Sequence, residues 1–381
     1  MRIVLIALTR GHVSGGFRKY LDRVVPLLRC DPAVERVELF TPPQIVRDGE
    51  RTWPRGDDLR GFPALRRAVS ALEPDVVFIP TARVLNFGRT PVMTMVQNME
   101  PLEVPFGGNA LMEGLKNVAR AATARAACRR AARIIAVSEH VRNFLVERWN
   151  IPRERIGMVY HGIDPAADDL APPATLAPLA GGRFVFTAGS IRPARGLEDA
   201  ICALSGVPSD VRLVIAGSVD RGAEHYGAKM RALAKEEGVE SRVIWAGQLD
   251  ARAMSWCYRS ADAFIMTSRA EACPNIVLEA MAQGAVSVST THPPMPEFFG
   301  DSSWYYRERD AGDLVRQLNY ALAAPPAERQ RHRNAARARA ATFPWEATAR
   351  ATVAEFRLVI ESDVESVKES AKESAKTRAR T

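Results

Sequence analysis

The chain has 381 residues, which is too long for one ordinary core and fits two domains of roughly 150–200 residues each. Apolar residues make up 47% and charged residues 25% of it, a balance that excludes a disordered or fibrous protein. The net charge of +8 suits nucleotide phosphates, anionic lipid or nucleic acid as partners, and the scattered cysteines have no spacing typical of a disulfide framework or a zinc site.

The first predicted element is a buried strand at Arg2–Leu8. We expect no signal peptide, because only one basic residue precedes the apolar run and no cleavage-like site follows it. No stretch approaches the ~20 apolar residues that are needed to span a bilayer. The sequence therefore predicts a cytoplasmic protein, and peripheral contact with the inner membrane face stays open.

The rest of the first half alternates short apolar runs with helical patterns. A turn-rich GHVSGG segment precedes a helix at Phe17–Leu28, and further buried strands are predicted at Val37–Phe40, Val76–Ile79, Val92–Val96 and Ile134–Val137. Uniformly apolar strands separated by helices indicate a parallel sheet that is covered on both faces. We therefore predict a Rossmann-like domain over residues 1–164.

A Pro-, Ala- and Gly-rich stretch over residues 165–182 has no regular period, which is typical of an interdomain linker. A second series of apolar strands begins after it, in the runs FVFTAGS, VRLVIAGS, RVIWAGQ, DAFIMTS and AVSVST. We predict a second domain over residues 183–342, a terminal amphipathic helix over 343–360 and a charged tail, frayed helix or disordered, over 361–381. The fold class is α/β, with two Rossmann-like doubly wound domains facing a central cleft.

The clearest chemical signal is EACPNIVLEAMAQG, in which Glu271 and Glu279 bracket a turn and the start of a helix. Pro274 suits a helix start, and the residues after it continue as an apolar helical stripe. A helix that opens after a buried strand presents unpaired amides and a positive dipole end, where phosphate binds readily. Either glutamate alone could equally be a capping or solvated residue.

The stretch TSRAEACPNIVLEAMAQGAVSVST closely resembles the signature of family 4 glycosyltransferases, which are retaining enzymes of the GT-B fold. The resemblance extends through FTAGSIRPARGLEDAI, LVIAGS, VIWAG and WCYRSADAFIMTS in the expected order, and HGID and FPWEATA are similar to the elements that close the N-terminal domain and begin the C-terminal crossover helix. It covers most of Arg183–Phe356 and is weaker over residues 1–160.

The resemblance implies roles for the residues around the two glutamates. Glu271 would contact donor sugar hydroxyls as a catalytic-site residue, and Glu279 would hold the ribose. The backbone of Cys273, Pro274, Asn275 and Ile276 would approach the donor sugar and diphosphate. Cys273 stands where glycine or phenylalanine is frequent, so we interpret it as a packing residue.

The loop GSIRPARG follows a strand and precedes a helix. Relatives place an arginine after its first glycine and a lysine before its last, where this chain has Ser190 and Arg195. Guanidinium groups bind phosphate well, so Arg195 is the predicted diphosphate ligand. Arg192 could supply the charge that Ser190 lacks, or it could be an ordinary surface arginine.

Two segments of the first half are further site candidates. Gly15 and Gly16 resemble the family's glycine loop near the donor phosphates, although an ordinary strand–helix connection would look alike. Asn98 and Glu100 follow a buried strand, whose carboxyl end faces the ligand crevice in open α/β sheets. They are candidates for positioning the acceptor in the catalytic site; alternatively, they are loop residues that cap the next segment. Ser138 is a predicted N-cap.

A basic, alanine-rich helix begins near Lys116. Cationic residues beside an apolar face suit contact with anionic membrane, and an ordinary surface helix is the alternative. The sequence thus predicts a retaining, metal-independent glycosyltransferase of hexosyltransferase type, without cofactor, that transfers sugar from a nucleoside diphosphate sugar to a glycan or lipid-linked acceptor. The expected role is cell-surface polysaccharide, lipopolysaccharide or glycolipid assembly, without nucleic acid as a partner. A sugar-nucleotide epimerase and a noncatalytic nucleotide-sugar-binding subunit are the alternatives.

Overall fold

The computed structural model describes residues 1–8, 15–43, 46–52, 62–104, 106–108, 111–166, 170, 172–179, 181–220 and 222–378, with side chains up to residue 364. Parts of the expected turn at 11–16, of the linker at 165–182 and of the tail lie outside these ranges. The chain divides into two compact units. Unit 1 comprises Met1–Gln97, Ala122–Gly162 and Trp345–Thr381, and unit 2 comprises Asn98–Ala121 and Ile163–Pro344.

The described strands form one parallel sheet in each unit. They are β1 (Arg2–Ile6), β2 (Arg36–Thr41), β3 (Arg51–Thr52), β4 (Val76–Ile79), β5 (Val92–Val96), β6 (Arg133–Ala136), β7 (Ile156–Met158), β8 (Phe184–Ala188), β9 (Arg212–Ala216), β10 (Val243–Gly247), β11 (Ala263–Met266), β12 (Ser287–Thr290) and β13 (Ser303–Tyr306). The order is β3-β2-β1-β4-β5-β6-β7 in unit 1 and β10-β9-β8-β11-β12-β13 in unit 2. Neighbouring strands in both sheets are parallel, and each order reverses once, as in a doubly wound sheet.

Helices separate most consecutive strands. They are α1 (Gly15–Cys30), α2 (Phe62–Ser70), α3 (Glu100–Glu103), α4 (Leu111–Arg130), α5 (Glu139–Trp149), α6 (Leu197–Leu204), α7 (Glu224–Glu236), α8 (Ala251–Ser260), α9 (Asn275–Ala282), α10 (Met295–Phe299), α11 (Ala311–Ala323), α12 (Pro326–Ala340) and α13 (Trp345–Arg378). The last helix continues through the charged segment after residue 360, where glutamate and lysine recur at the four-residue spacing that stabilises an exposed helix.

The core of unit 1 follows from the apolar runs of its strands. Every residue of β4 and β5 is buried, as expected for central parallel strands that are covered on both faces, and both strands coincide with the predicted Val76–Ile79 and Val92–Val96. The helix α1 buries one face, which includes Tyr20, Leu21 and Val24. Its predicted range, Phe17–Leu28, was short by two residues at each end.

The predicted cap at Ser138 is confirmed. Its Oγ accepts a hydrogen bond from the Val141 amide at 3.2 Å, and α5 begins at the next residue. Asn150 ends the helix in the left-handed conformation, with φ of 54°. Short polar residues tolerate this conformation better than β-branched ones do, so both ends of α5 are encoded locally.

His161 and Gly162, the first two residues of HGID, pack against the first turn of α13 within unit 1. The ring of His161 lies 5.1 Å from that of Tyr20 and 6.3 Å from that of Trp345. A Cβ atom at Gly162 would lie 2.6 Å from the backbone of Trp345, so this approach requires glycine. Burial raises the pKa of Tyr20 far above its usual value. These contacts make His161 and Gly162 packing residues of unit 1.

The core of unit 2 lies between its sheet and the helices α6, α7 and α11. It contains apolar side chains from β8, β9 and β11, among them Val185, Leu213 and Ile265, with Met230 and Leu314 from the helices. Three short strands were not foreseen: β3 and β7 in unit 1 have the sequences RT and IGM, and β13 in unit 2 has SWYY. None of the three forms a long apolar run, and each is an edge strand of its sheet.

Candidate active site

Two loops of unit 2 meet at the carboxyl ends of β8 and β11, where the strand order reverses. The Arg269 amide donates to the Ala194 carbonyl at 2.8 Å, and Thr267 Oγ1 donates to the Arg195 carbonyl at 2.6 Å. Ligands of open α/β sheets bind in the crevice at this position. The loops over 189–196 and 267–274 therefore form the candidate site.

Arg195 and Glu271 lie at the centre of this site. Arg195 Nη1 is 2.5 Å from Glu271 Oε1 and 3.1 Å from Ser268 Oγ. Their side chains are 15% and 13% exposed. The structure therefore brings together the residue predicted to bind diphosphate and the one predicted to bind the sugar, which are 76 positions apart in the sequence.

Gly189 provides the space in which the Arg195 side chain lies. A Cβ atom at Gly189 would be 2.6 Å from Arg195 Nε and 2.7 Å from its Cζ. The φ angle of Gly189 is +118°, a conformation that residues with a side chain rarely adopt. The first glycine of the GSIRPARG loop is thus required both by its backbone angle and by the arginine that packs on it.

A partly buried charge network joins the second of these loops to the first turn of α6, which follows the first loop. Arg269 Nη2 lies 3.3 Å from Asp199 Oδ1 and 3.3 Å from Glu198 Oε2, in the first turn of α6. The Tyr306 hydroxyl donates to Asp199 Oδ2 at 3.0 Å. Burial raises the pKa of Asp199, and the nearby Arg269 opposes that shift. Sequence reasoning did not select Arg269, and its position two residues before Glu271 is the only sequence signal for it.

The helix α9 begins directly after the loop that carries Glu271. Pro274 is its N-cap and forms no side-chain cap, so the first turn has amides that its own carbonyls cannot satisfy. Cys273 and Pro274 are buried, and Asn275 and Ile276 are half-buried. Within the described part of the chain, Asn275 Oδ1 is buried and has no hydrogen-bond partner. The predicted helix start at Pro274 is observed.

Glu279 lies in the second turn of α9 and is contacted from α8. The Tyr258 hydroxyl donates to Glu279 Oε2 at 3.3 Å, and the neighbouring Arg259 Nη2 donates to Gln283 Oε1 at 3.0 Å. Burial raises the pKa of Tyr258 well above its usual value, and the carboxylate of Glu279 adds to the rise. Tyr258 was also missed from the sequence, since nothing in the spacing of the two residues links them.

Arg192 has different partners from Arg195. Its Nη1 lies 2.9 Å from Glu100 Oε2 and 3.6 Å from Asp220 Oδ2. Glu100 is the first residue of α3, and its amide donates to Asn98 Oδ1 at 3.2 Å. The structure therefore groups Asn98, Glu100 and Arg192 together in unit 2, and it places Arg192 between two carboxylates.

The remaining predicted residues lie beside or apart from this group. Ser190 is half-buried in the loop after β8, between Gly189 and Ile191, whose amide donates to the Ser218 carbonyl at 2.9 Å. Gly15 and Gly16 belong to unit 1, where they are the first two residues of α1. They were expected to precede the helix.

The basic helix α4 differs from the expected pattern of arginine opposite alanine. Its buried side contains small residues such as Gly114, Ala124 and Ala127. Its N-terminal half and the segment before it expose large apolar side chains, between 45% and 71% exposed: Phe106, Leu111, Met112, Leu115 and Val118. These five residues form the exposed apolar patch of unit 2. Lys116 and Arg120 both pair with Glu113.

Among the described residues, no group of three or more histidine, cysteine, aspartate or glutamate side chains could hold a metal ion. None of the helices in the described ranges is long and apolar enough to cross a membrane. The five cysteines are free thiols in this structure, and burial raises the pKa of Cys257 to about 12.

The chain is similar to known glycosyltransferases over most of its length. Residues 176–339 match the family model "Glycosyl transferases group 1", and residues 24–167 match "Glycosyltransferase Family 4". A D-inositol 3-phosphate glycosyltransferase from Mycolicibacterium smegmatis is 27% identical over 231 residues, which cover 59% of this chain and 52% of the relative. The chain thus matches about half the length of the curated relatives.

Solved structures show the fold. Sucrose-phosphate synthase from Thermosynechococcus elongatus superposes with a TM-score of 0.74 at 19% identity, covering 95% of this chain and 99% of that one. HepE from Anabaena, in complex with UDP-glucose, superposes with a TM-score of 0.69 at 16% identity, covering 97% of this chain and 100% of that one. The expected GT-B fold is confirmed. Two adjacent family models and the fold agree, and the chain belongs to the family 4 glycosyltransferases.

Proposed function

We propose that the protein transfers a sugar from a nucleoside diphosphate sugar to an acceptor hydroxyl, with retention of the anomeric configuration and without a metal ion. The observation that carries the proposal is the pairing of Arg195 with Glu271 at the switch point of the unit 2 sheet, beside the N-terminus of α9. A cation for phosphate and a carboxylate for sugar hydroxyls are thereby adjacent. The UDP-glucose complex of HepE supports a nucleotide sugar as donor.

In this proposal each residue of the site has a distinct task. Glu271 accepts hydrogen bonds from donor sugar hydroxyls, and Glu279 accepts them from the ribose. Arg195 and the first amides of α9, at Asn275 and Ile276, bind the diphosphate. Cys273 and Pro274 shape the wall of the site, because both are buried. Gly15 and Gly16 are proposed to approach the phosphates through their backbone at the start of α1.

The charge of the leaving diphosphate is offset by Arg195 and the dipole of α9 in this scheme, so the chain's own groups provide the stabilisation that a metal ion would otherwise give. Both glutamates are assigned to binding, which leaves the donor phosphate itself as the base for the incoming hydroxyl. Attack and departure on the same face of the sugar then retain its configuration. Glu100, at the start of α3, and Asn98, two residues before it, are proposed to position the acceptor.

The exposed apolar patch supports a lipid-linked acceptor on anionic membrane. Large apolar side chains at Leu111, Met112 and Leu115 can enter the lipid interface, and the exposed cations Lys116 and Arg120 in the same part of the helix suit anionic headgroups. We expect the protein to sediment with vesicles that contain anionic lipid, and a Leu111→Ser/Leu115→Ser variant to sediment less. Equal sedimentation of both proteins would refute the membrane contact.

The function is tested with a donor screen. UDP-, GDP- and ADP-sugars are incubated with the wild type and with Glu279→Ala, and thermal shift and nucleotide release are recorded. Glu236→Ala, which changes an exposed glutamate of α7, is the matched control. One nucleotide class should stabilise the wild type and the control but not Glu279→Ala. The D-inositol 3-phosphate relative makes inositol phosphates the first acceptors to add, and NMR of the product's anomeric proton reports retention.

Two other outcomes would change the proposal. Stabilisation by a nucleotide without turnover on any acceptor would favour a noncatalytic nucleotide-sugar-binding subunit. Failure of every donor to shift the wild type would exclude the proposed donor site.

A further inference from the structure

We propose that Tyr258 is a positioning residue that orients the Glu279 carboxylate for the two ribose hydroxyls of the donor nucleotide. The inference rests on the proposed function, in which Glu279 contacts the ribose. Tyr258 itself is 1% exposed and lies behind Glu279, so it acts through the carboxylate and does not touch the nucleotide.

The ring of Tyr258 is fixed by aromatic neighbours on two adjacent strands. It makes edge contacts with Phe186 of β8, with ring centroids 5.2 Å apart, and with Phe264 of β11, at 5.3 Å. The interplanar angles are 76° and 74°. Such edge-to-face pairs have a defined geometry, and close packing in the core leaves the ring little freedom to rotate. The position of the hydroxyl is therefore set by the central strands of the sheet.

The fixed hydroxyl in turn restrains Glu279. It donates to Glu279 Oε2 at 3.3 Å, and because burial raises the pKa of Tyr258 well above its usual value, the hydroxyl keeps its proton at any ordinary pH. At the C-cap of α9, one turn further along, Arg259 Nη2 donates to Gln283 Oε1. Two consecutive residues of α8 thus contact Glu279 of α9 and Gln283, the C-cap of α9, which lie four positions apart.

A restrained carboxylate matters for a diol more than for any other part of the donor. Two neighbouring hydroxyls can both donate to one carboxylate only when its plane is correctly oriented, and a ligand site must hold such groups to within about 0.5 Å. A freely rotating Glu279 would still carry its charge. It would lose the geometry that distinguishes a ribose from a 2′,3′-dideoxyribose.

The test compares ribose with dideoxyribose. Dissociation constants are measured by calorimetry for UDP, GDP and ADP, and for their 2′,3′-dideoxy counterparts, with the wild type, Tyr258→Phe and Glu279→Ala. The matched control is Tyr305→Phe, which removes the hydroxyl of another tyrosine of unit 2 that donates to the Gly300 carbonyl at 2.6 Å. The quantity compared is the ratio of the dideoxy to the ribose dissociation constant for the nucleotide that binds the wild type.

In the wild type and Tyr305→Phe this ratio should be equally large. Tyr258→Phe leaves the Glu279 carboxylate in place and removes only the bond that orients it, so the ratio should fall roughly fivefold to tenfold while the affinity for the dideoxy nucleotide changes little. In Glu279→Ala the ratio should fall to about one. If Tyr258→Phe weakens both nucleotides equally, its role is general packing and the inference is overturned.

The proposed function fails in a different way. An unchanged ratio in Glu279→Ala would remove Glu279 from the ribose site and overturn the inference with it. Absence of binding by all three nucleotides to the wild type would overturn the donor site as a whole.

Discussion

Replacement of Gly189 by alanine tests whether the position of Arg195 determines donor binding. The new Cβ would lie 2.6 Å from Arg195 Nε, a distance that real Cβ atoms do not reach, so the guanidinium must move away from Glu271 and Ser268. We expect Gly189→Ala to fold and to bind the donor diphosphate weakly, because Arg195 is displaced although it is still present.

Two magnitudes can be worked out from the structure. Backbone strain at φ of +118° should lower the free energy of unfolding by about 1–3 kcal/mol. Loss of a hydrogen bond to a charged group costs about 1.5–3 kcal/mol, which corresponds to a roughly 10- to 150-fold higher dissociation constant. The affinity loss should thus be large in a protein that is still folded at room temperature.

The assay combines urea unfolding with calorimetric titration of the nucleoside diphosphate found in the donor screen. Gly238→Ala is the matched control: its φ is +68°, but no atom lies within 4 Å of the added Cβ. It should lose about 1–2 kcal/mol of stability and no affinity. In an Arg195→Ala background, Gly189→Ala should no longer change affinity. A full affinity loss in that background, or an equal loss in Gly238→Ala, would refute the displacement of Arg195.

Three further predictions concern the units themselves. A double-mutant cycle of Glu100→Gln and Arg192→Gln, measured by urea unfolding, should give a coupling free energy of about 1–2 kcal/mol, because the ion pair is only partly exposed. Additive losses in the free energy of unfolding would exclude a stabilising pair. Ser138→Ala should cost about 1 kcal/mol by removing the α5 cap, and no change in the unfolding midpoint would contradict that role. The hydrogen bond from Arg51 holds the pKa of Glu38 in the folded protein below its usual range. The wild type should therefore be more stable than Glu38→Gln, fully so above pH ~4.3, the usual pKa of a glutamate in an unfolded chain. This advantage should disappear as the pH falls through the lowered pKa of the folded protein. Urea midpoints at several pH values measure this, and an advantage that persists at the lowest pH would disprove it.

The sequence predicts those parts of the fold that are encoded by local pattern. Central parallel strands such as Val76–Ile79 are apolar on both faces and are therefore recognised as uninterrupted runs. The start of α9 at Pro274 and the cap at Ser138 depend on neighbouring residues only. The short edge strands β3, β7 and β13 lack a long apolar run, and they form only because a neighbouring strand offers them hydrogen-bond partners.

The candidate site is harder to predict, because its contacts join distant residues. Motif comparison selected Arg195 and Glu271 separately and assigned them to different parts of the donor, and only the fold shows their ion pair. Arg269 and Tyr258 support the site from behind, and their spacing carries no chemical signature. In α4 the buried side contains Ala124 and Ala127, whereas the large apolar side chains near its start are exposed, an arrangement that composition alone does not reveal.

The division of the chain bears on how such a gene can recombine. Unit 2 is assembled from two separate stretches, Asn98–Ala121 and Ile163–Pro344. A single crossover near codon 163 would exchange the sheet that carries Arg192 but would retain Glu100 from the original gene. Hybrids between homologous genes should then fold well chiefly when the incoming loop brings a cation to position 192. The Glu100–Arg192 pair therefore limits which versions of the two stretches can be combined in one gene.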